Sequence, residues 1–330
     1  MPTIQQAITS YIDMVTLARS PHTARAYSHA LDVFQGVLKK HKLDAATSPI
    51  GSLTEEALAW LLLALKDYSP ATEQIYLQGA KGFYKFLVAE RLADINLPRL
   101  ELFIEQRARR PGIRLPQFPS DDIARVLNFF SDPSSVVSTD ETEYLRALRD
   151  RAFLLTLADT GLRVHEACQL RRGDIDWNEG QAVIIGKGNR EAVVRFTSRA
   201  MKALKEYLSK RAVLDGGSGR PLPSLPLFAR HDKGAGRKIK PITTATGRNL
   251  VKERVNQVLG EDAHGKITPH SFRHYFVTAI LRGTGNLRYA QELARHQNIQ
   301  VTQRYTHLSN DELDKAYHDV FEKNTEPRSK

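Results

Sequence analysis

The chain is poor in cysteine: its 330 residues contain one, Cys168. A lone thiol excludes any disulfide framework within the chain, which fits a reducing compartment. Cys168 lies in the pattern Ala167-Cys168-Gln169-Leu170, so a packed thiol is expected there rather than a nucleophile. Long hydrophobic runs are missing too. The longest, Ala57 to Leu65, has nine residues, whereas a membrane-spanning helix needs about 20. The opening Met1-Pro2-Thr3-Ile4-Gln5-Gln6 has no charged-then-apolar signal pattern. The expectation is a soluble, cytoplasmic protein with no membrane partner.

What the chain has is positive charge. There are 48 Lys and Arg against 37 Asp and Glu, a net charge of +11. Residues 1–110 hold 13 basic and 11 acidic residues, a net of +2; the remainder holds 35 and 26, a net of +9. A basic surplus of this size suits a polyanion such as nucleic acid.

Hydrophobic periodicity predicts a mainly α protein with a small β-hairpin, an α+β class, in two domains. Residues 1–105 read as a small helical bundle. Two of its segments echo each other: Ser20-Pro21-His22-Thr23 with Tyr27 and Phe34 following, and Ser69-Pro70-Ala71-Thr72 with Tyr76 and Phe83 following. Serine before proline is a strong helix start, and aromatics seven apart share a helix face. Apolar positions around Leu17 and the run Ala57–Leu65 supply further helices. Residues 106–119 read as a basic linker, rich in proline and carrying Arg107, Arg109, Arg110 and Arg114. Residues 120–330 form the second domain. Asp121–Phe130 and Glu143–Ala158 are helical. Asn178-Glu179-Gly180 is a turn, Gln181–Ile185 a strand, Gly186–Asn189 a turn and Arg190–Phe196 a strand. Asp215–Ile242, rich in Gly, Pro and basic residues, reads as a loop. Helices return from about Thr246, and Asn324–Lys330 is expected to fray.

Four stretches carry chemistry. In Thr268-Pro269-His270-Ser271-Phe272-Arg273-His274, Thr and Pro begin a helix, and His270 and Arg273 share its first turn. An imidazole and a forked guanidinium at a helix N-terminus suit a phosphate; an ordinary capped surface helix is the alternative. His270 and His274 lack the intervening glutamate of a helical zinc site, so no metal is expected. In Asp159-Thr160-Gly161-Leu162-Arg163-Val164-His165-Glu166, Gly161 ends one helix, Arg163 opens the next, and Glu166 is placed to brace it; an ordinary helix–turn–helix connection is the alternative. In Gly186-Lys187-Gly188-Asn189-Arg190, a hairpin-tip lysine can swing to a phosphate or stay solvated. The last stretch runs from Arg295-His296 to Arg304-Tyr305-Thr306-His307.

Taken in order, Arg163, Lys187, His270, Arg273, His296 and Tyr305 resemble the catalytic set of the tyrosine recombinase (phage integrase) family. The context Thr-Gly-Leu-Arg-x-x-Glu matches, as do the hairpin Gly-Lys-Gly-Asn, the His-x-x-Arg pair and the final His nine residues before Tyr. Leu170, Asp174 and Ile175 extend the likeness, which is strong over about residues 117–320 and weaker over 1–105. Two positions depart from the pattern: Arg295 stands where the family often has glycine, and His165 replaces a small residue.

The resemblance implies a site-specific recombinase or integrase that is Xer-like in its two-domain build and needs no cofactor. A core-binding helical domain and a catalytic domain, joined by the basic linker whose Arg107, Arg109, Arg110 and Arg114 would bind DNA, would close on double-stranded DNA. Arg163 and Arg273 would bind the non-bridging oxygens of the scissile phosphate, with Glu166 supporting. His270 and His296 would hydrogen-bond there, and Tyr305 would attack to give a 3′-phosphotyrosyl link. Lys187 would protonate the leaving 5′ oxygen. Four protomers on two DNA sites are implied. The task would be chromosome or plasmid resolution at the nucleoid, or mobile-element integration. A type IB topoisomerase-like enzyme and a DNA-binding protein without catalysis are the competing readings.

Overall fold

The structure is a computed structural model that describes residues 1–109, 119–185, 191–232, 239–263, 265–296 and 298–303. The chain divides into two compact units, Met1–Arg114 and Leu115–Lys330. As expected, helices dominate and the sheet is small.

The described part of the first unit holds five helices: α1 (Ile4–Ala18), α2 (Pro21–Lys40), α3 (Glu56–Ala64), α4 (Pro70–Ala89) and α5 (Leu97–Arg107). The two echoing segments become α2 and α4. Each starts on a serine whose Oγ accepts the N–H of a threonine three residues on, at 3.2 Å in both helices. Phe34 and Phe83 are fully buried in one core with Leu31, Leu61 and Tyr84, and Tyr27 and Tyr76 pack against it from the rim. The two helices cross closely because Gly79 lets Ala30 and Tyr27 approach. Leu17 does not join this core. It is 91% exposed, because the buried stripe of α1 is Ile4, Ala7, Ile8, Tyr11 and Val15. α5 runs through Arg107, into the stretch read as linker.

In the second unit α6 (Ser120–Ser131) and α7 (Glu141–Thr160) precede the short α8 (Val164–Gln169). A three-stranded antiparallel sheet follows: β1 (Ile175–Asp176), β2 (Gln181–Ile185) and β3 (Glu191–Arg195), in that order. Val183 pairs with Val193 and Ile185 with Glu191. Then come α9 (Ser198–Gly216), α10 (Thr244–Leu259), α11 (Pro269–Thr284), α12 (Leu287–Ala294) and α13 (Ile299–Gln303). α7 is the central helix, with every residue from Leu148 to Ala158 buried. Phe153 meets Phe228 edge-on at 5.0 Å. Gly247 lets α10 sit directly on Val164, Cys168 and Phe153. Cys168 is buried, and burial pushes its thiol up to about 12.

The stretch read as a loop over Asp215–Ile242 differs in two ways. α9 continues through Gly216, and Leu225, Leu227, Phe228 and Ala229 are wholly buried. Irregular backbone can be buried only if its polar groups find partners. Here the buried Arg211 reaches the carbonyls of Leu227 and Pro226, both at 2.9 Å, and the Tyr207 hydroxyl accepts the Ala229 N–H at 3.2 Å. No described helix is long and apolar enough to cross a membrane.

Candidate active site

α7 ends at Gly161, whose left-handed backbone (φ +60°) suits glycine at a helix C-terminus. The chain reverses through the buried Leu162, and Arg163, in extended conformation, opens α8. Glu166, one turn in, accepts the Arg163 N–H at 2.8 Å and its Nη1 at 3.0 Å. This is one arm of a capping box, and it aims a guanidinium as well as a backbone.

α11 begins at Thr268-Pro269, as the spacing predicts, with the Thr268 N–H donating to Ser271 Oγ at 3.1 Å. His270, on the first turn, keeps only part of its ring in solvent, and Arg273, one turn on, is buried. Arg273 donates to the carbonyls of Gly161 and Ala294. It therefore ties the end of α7 to the end of α12.

α12 stops at Arg295, which is left-handed (φ +59°, ψ +43°), while the His296 N–H reaches back to Gln291 O at 3.0 Å. His296 Nδ1 pairs with the buried Thr302 hydroxyl of α13 at 2.7 Å. The Arg295 Nη2 lies 3.2 Å from Glu166 Oε2 and 3.4 Å from the Gly161 carbonyl. Glu166 thus sits between two arginines.

The charges follow from this packing. Burial opposes ionisation of Glu166, but the Arg295 charge and the hydrogen bonds from Arg163 outweigh it and hold the carboxyl below its usual range. Loss of solvent, then the charges of Arg273 and Arg163, push His270 below the ordinary imidazole range. The same causes bring His296 to about 4. His274, whose ring meets His270 edge-on at 4.4 Å, is held at about 4 by burial and then by His270 and Arg273. A lowered pKa favours the uncharged imidazole, the form that carries a free nitrogen lone pair.

A cleft of about 440 Å³ opens on this cluster, lined among others by Arg163, Arg248, Lys252, His270 and Arg273. Arg248 and Lys252 were not singled out in the sequence. They stand one turn apart on the exposed face of α10, a signal that many solvated helix faces share. Thr302 and the Arg295–Glu166 contact were also missed.

Of the residues expected at the site, Arg163, Glu166, His270, Arg273 and His296 come together in the second unit. Lys187 and Tyr305 lie outside the described residues, as do Arg110 and Arg114. Arg107 and Arg109 belong to the first unit. The Arg107 guanidinium packs 5.1 Å from the Phe103 ring centre. Arg109, expected as a DNA-binding residue of the linker, is engaged within the first unit. Its N–H and Nε donate to the buried Glu73 at 2.8 and 2.6 Å, and its Nη2 donates to the carbonyls of Leu65 and Tyr68. A carboxylate sealed inside the bundle is costly without a partner, and Arg109 supplies one.

Always-charged guanidiniums beside neutral imidazoles can hold an oxyanion and move a proton next to it, which is the equipment for phosphoryl transfer. Residues 133–312 match the phage integrase family. Tyrosine recombinase XerC of Pelobacter propionicus is 32% identical over 300 residues, covering 90% of this chain and 88% of that one. Among solved structures, the XerH site-specific recombinase bound to its difH substrate, a pre-cleavage complex, is 20% identical with a TM-score of 0.64, covering 89% of this chain and 78% of that one. A lambda integrase dimer bound to a COC′ core site is 17% identical with a TM-score of 0.62, covering 92% and 95%; both structures share the fold. This chain belongs to the phage integrase family of tyrosine recombinases, site-specific enzymes that break and rejoin DNA strands.

Proposed function

We propose that Tyr305 is the nucleophile and that the cleft described above receives the scissile phosphate. The observation that carries this reading is the convergence of Arg163, Arg273, His270 and His296 on one side of a single unit. The two guanidiniums bind the non-bridging oxygens, where negative charge gathers in the transition state. The Tyr305 oxygen attacks phosphorus as its proton passes to His270, and the bond from phosphorus to the 5′ oxygen breaks. Lys187 protonates that leaving oxygen. The product is a 3′-phosphotyrosyl link with a free 5′ hydroxyl. The link conserves the energy of the phosphodiester, so religation to a new strand needs no ATP. Positive charge comes from the chain's own side chains, so the reaction is expected to run in EDTA.

The substrate is double-stranded DNA, engaged also by the helical first unit and by Arg107, Arg110 and Arg114. Four protomers assemble on two sites and exchange strands pairwise. The enzyme works in the cytoplasm at the nucleoid, on a chromosome or plasmid junction or a mobile-element end.

The test mixes purified protein, in EDTA, with nicked duplexes carrying candidate sites from its own genomic neighbourhood, beside Tyr305→Phe. The expected result is a denaturant-resistant adduct at the 3′ phosphate, absent in Tyr305→Phe while DNA binding persists. Sequencing the trapped DNA then identifies the target. A Tyr305→Phe protein that still forms the adduct disproves the nucleophile assignment.

A further inference from the structure

Arg295 breaks two local rules at once. Its backbone is left-handed at φ +59°, a conformation that strains any residue with a Cβ and that glycine adopts freely. Its Nε and Nη1 are buried with no hydrogen-bond partner among the described residues, although a buried guanidinium ordinarily satisfies its N–H groups. Local conflicts of this kind concentrate at functional sites, where surrounding structure imposes them. The side chain is only 12% exposed, too covered to act as a surface contact for DNA. What it reaches is the machinery of the cleft. Nη2 lies on Glu166 Oε2 at 3.2 Å and on the Gly161 carbonyl at 3.4 Å. Glu166 holds Arg163 through its other oxygen at 3.0 Å. The Gly161 carbonyl is also an acceptor for Arg273, whose second arm takes the carbonyl of Ala294, the residue before Arg295. The residue after Arg295 is His296.

These contacts form a closed circuit through the α7–α8 turn, α11 and the end of α12. The geometry points to Arg295 as a positioning residue that fixes Glu166, and through it Arg163, in register with Arg273 and His296. This rests on the assignment of the cleft as the site of strand cleavage. A carboxylate between two guanidiniums has one favoured position. Without Arg295, Glu166 would keep only the Arg163 N–H and the 40%-exposed Arg163 side chain, and the fork that meets the phosphate would be less firmly aimed. Among the described residues, the charged groups facing Glu166 are Arg163 from the α7–α8 turn and Arg295 from the end of α12, with Arg273 of α11 behind the shared Gly161 carbonyl. Removing the Arg295 charge therefore raises the pH at which Glu166 takes a proton. Cleavage should then fail on the acid side at a higher pH than in the parent enzyme.

The experiment measures the single-turnover rate of Tyr305 adduct formation on a nicked duplex from pH 5 to 9, together with DNA affinity and melting temperature. The proteins are the full chain, Arg295→Gln, Arg295→Lys, Glu166→Gln and the double variant Glu166→Gln/Arg295→Gln. Misaligning one phosphate ligand is expected to slow Arg295→Gln about tenfold while DNA affinity stays within about twofold. Its acid limb should move to higher pH, and Arg295→Lys should recover most of the rate. The double variant should be no slower than the worse single variant, because both substitutions act on one contact. Arg295→Gly suits the φ of this position, so it supplies the same readings if the glutamine variant folds poorly. A parent-like rate and pH profile in Arg295→Gln or Arg295→Gly, or additive losses in the double variant, overturns the assignment of Arg295 alone. A parent enzyme whose adduct survives Tyr305→Phe overturns the cleavage site, and this inference with it.

Discussion

At the scale of single residues the turn that carries Arg163 is shaped by Gly161. Its φ of +60° excludes most residues, and a Cβ there would overlap the Phe276 ring. Its carbonyl is where Arg273 and Arg295 meet. Gly161→Ala is expected to destabilise the protein by about 1–3 kcal/mol, the usual scale for a strained backbone position, as read by denaturant unfolding. Cleavage should fall further than stability alone requires, because the displaced carbonyl moves both arginines. Glycine at 161 was legible in the sequence as a helix end. Its second duty, as the acceptor for two guanidiniums, was not, since those donors are more than 100 residues away. Arg295 illustrates the same limit. Its departure from the family's usual glycine was visible, but not its reach to Glu166.

At the scale of elements the first unit is closed by a contact at the end of α5. Glu73 of α4 is wholly buried and paired with Arg109 at 2.6 Å. Replacing Arg109 by Met leaves that carboxylate uncompensated. The expected loss is about 2–3 kcal/mol, less than for a fully buried pair because Arg109 remains 34% open to solvent and is partly screened. Denaturant unfolding followed by a probe in the first unit checks this, and adding Glu73→Gln to Arg109→Met should recover part of the loss. The helix starts at Ser20 and Ser69, the end of α7 and the strands of the hairpin were all legible. Each depends on residues within one turn or one strand pair. The burial of Leu225–Ala229 was not, because glycine and proline nearby mark irregular backbone without saying whether a buried Arg211 will satisfy it.

At the scale of the whole molecule the basic surplus is uneven, +2 over residues 1–110 and +9 over the rest. DNA affinity should fall linearly with the logarithm of salt concentration, by about 0.9 log units per phosphate neutralised for each tenfold rise in salt. Replacing both Arg107 and Arg110 by Ala should make that slope shallower by about 1 for each phosphate no longer neutralised, measured by fluorescence anisotropy from low to moderate salt. Arg109→Ala should leave the slope nearly unchanged, since its charge is already engaged by Glu73. A slope shallower by about 1 in Arg109→Ala would instead show that the Glu73 pair opens on DNA.

Sequence alone determined the helical class, the caps and turns, and an ordered set of arginine, lysine, histidine and tyrosine at spacings that the phage integrase family shares. These are properties of residue type and of short separations along the chain, where helix period and turn chemistry act directly. Only the tertiary structure decided which of them meet. The placing of Gly161, Glu166, Arg273 and Arg295 around shared acceptors, the holding of His296 by Thr302, and the withdrawal of Arg109 into its own bundle all depend on packing between distant segments. Burial there removes solvent, so most polar groups take partners from distant segments, and among the described residues the exceptions, such as Nε and Nη1 of Arg295, stand out.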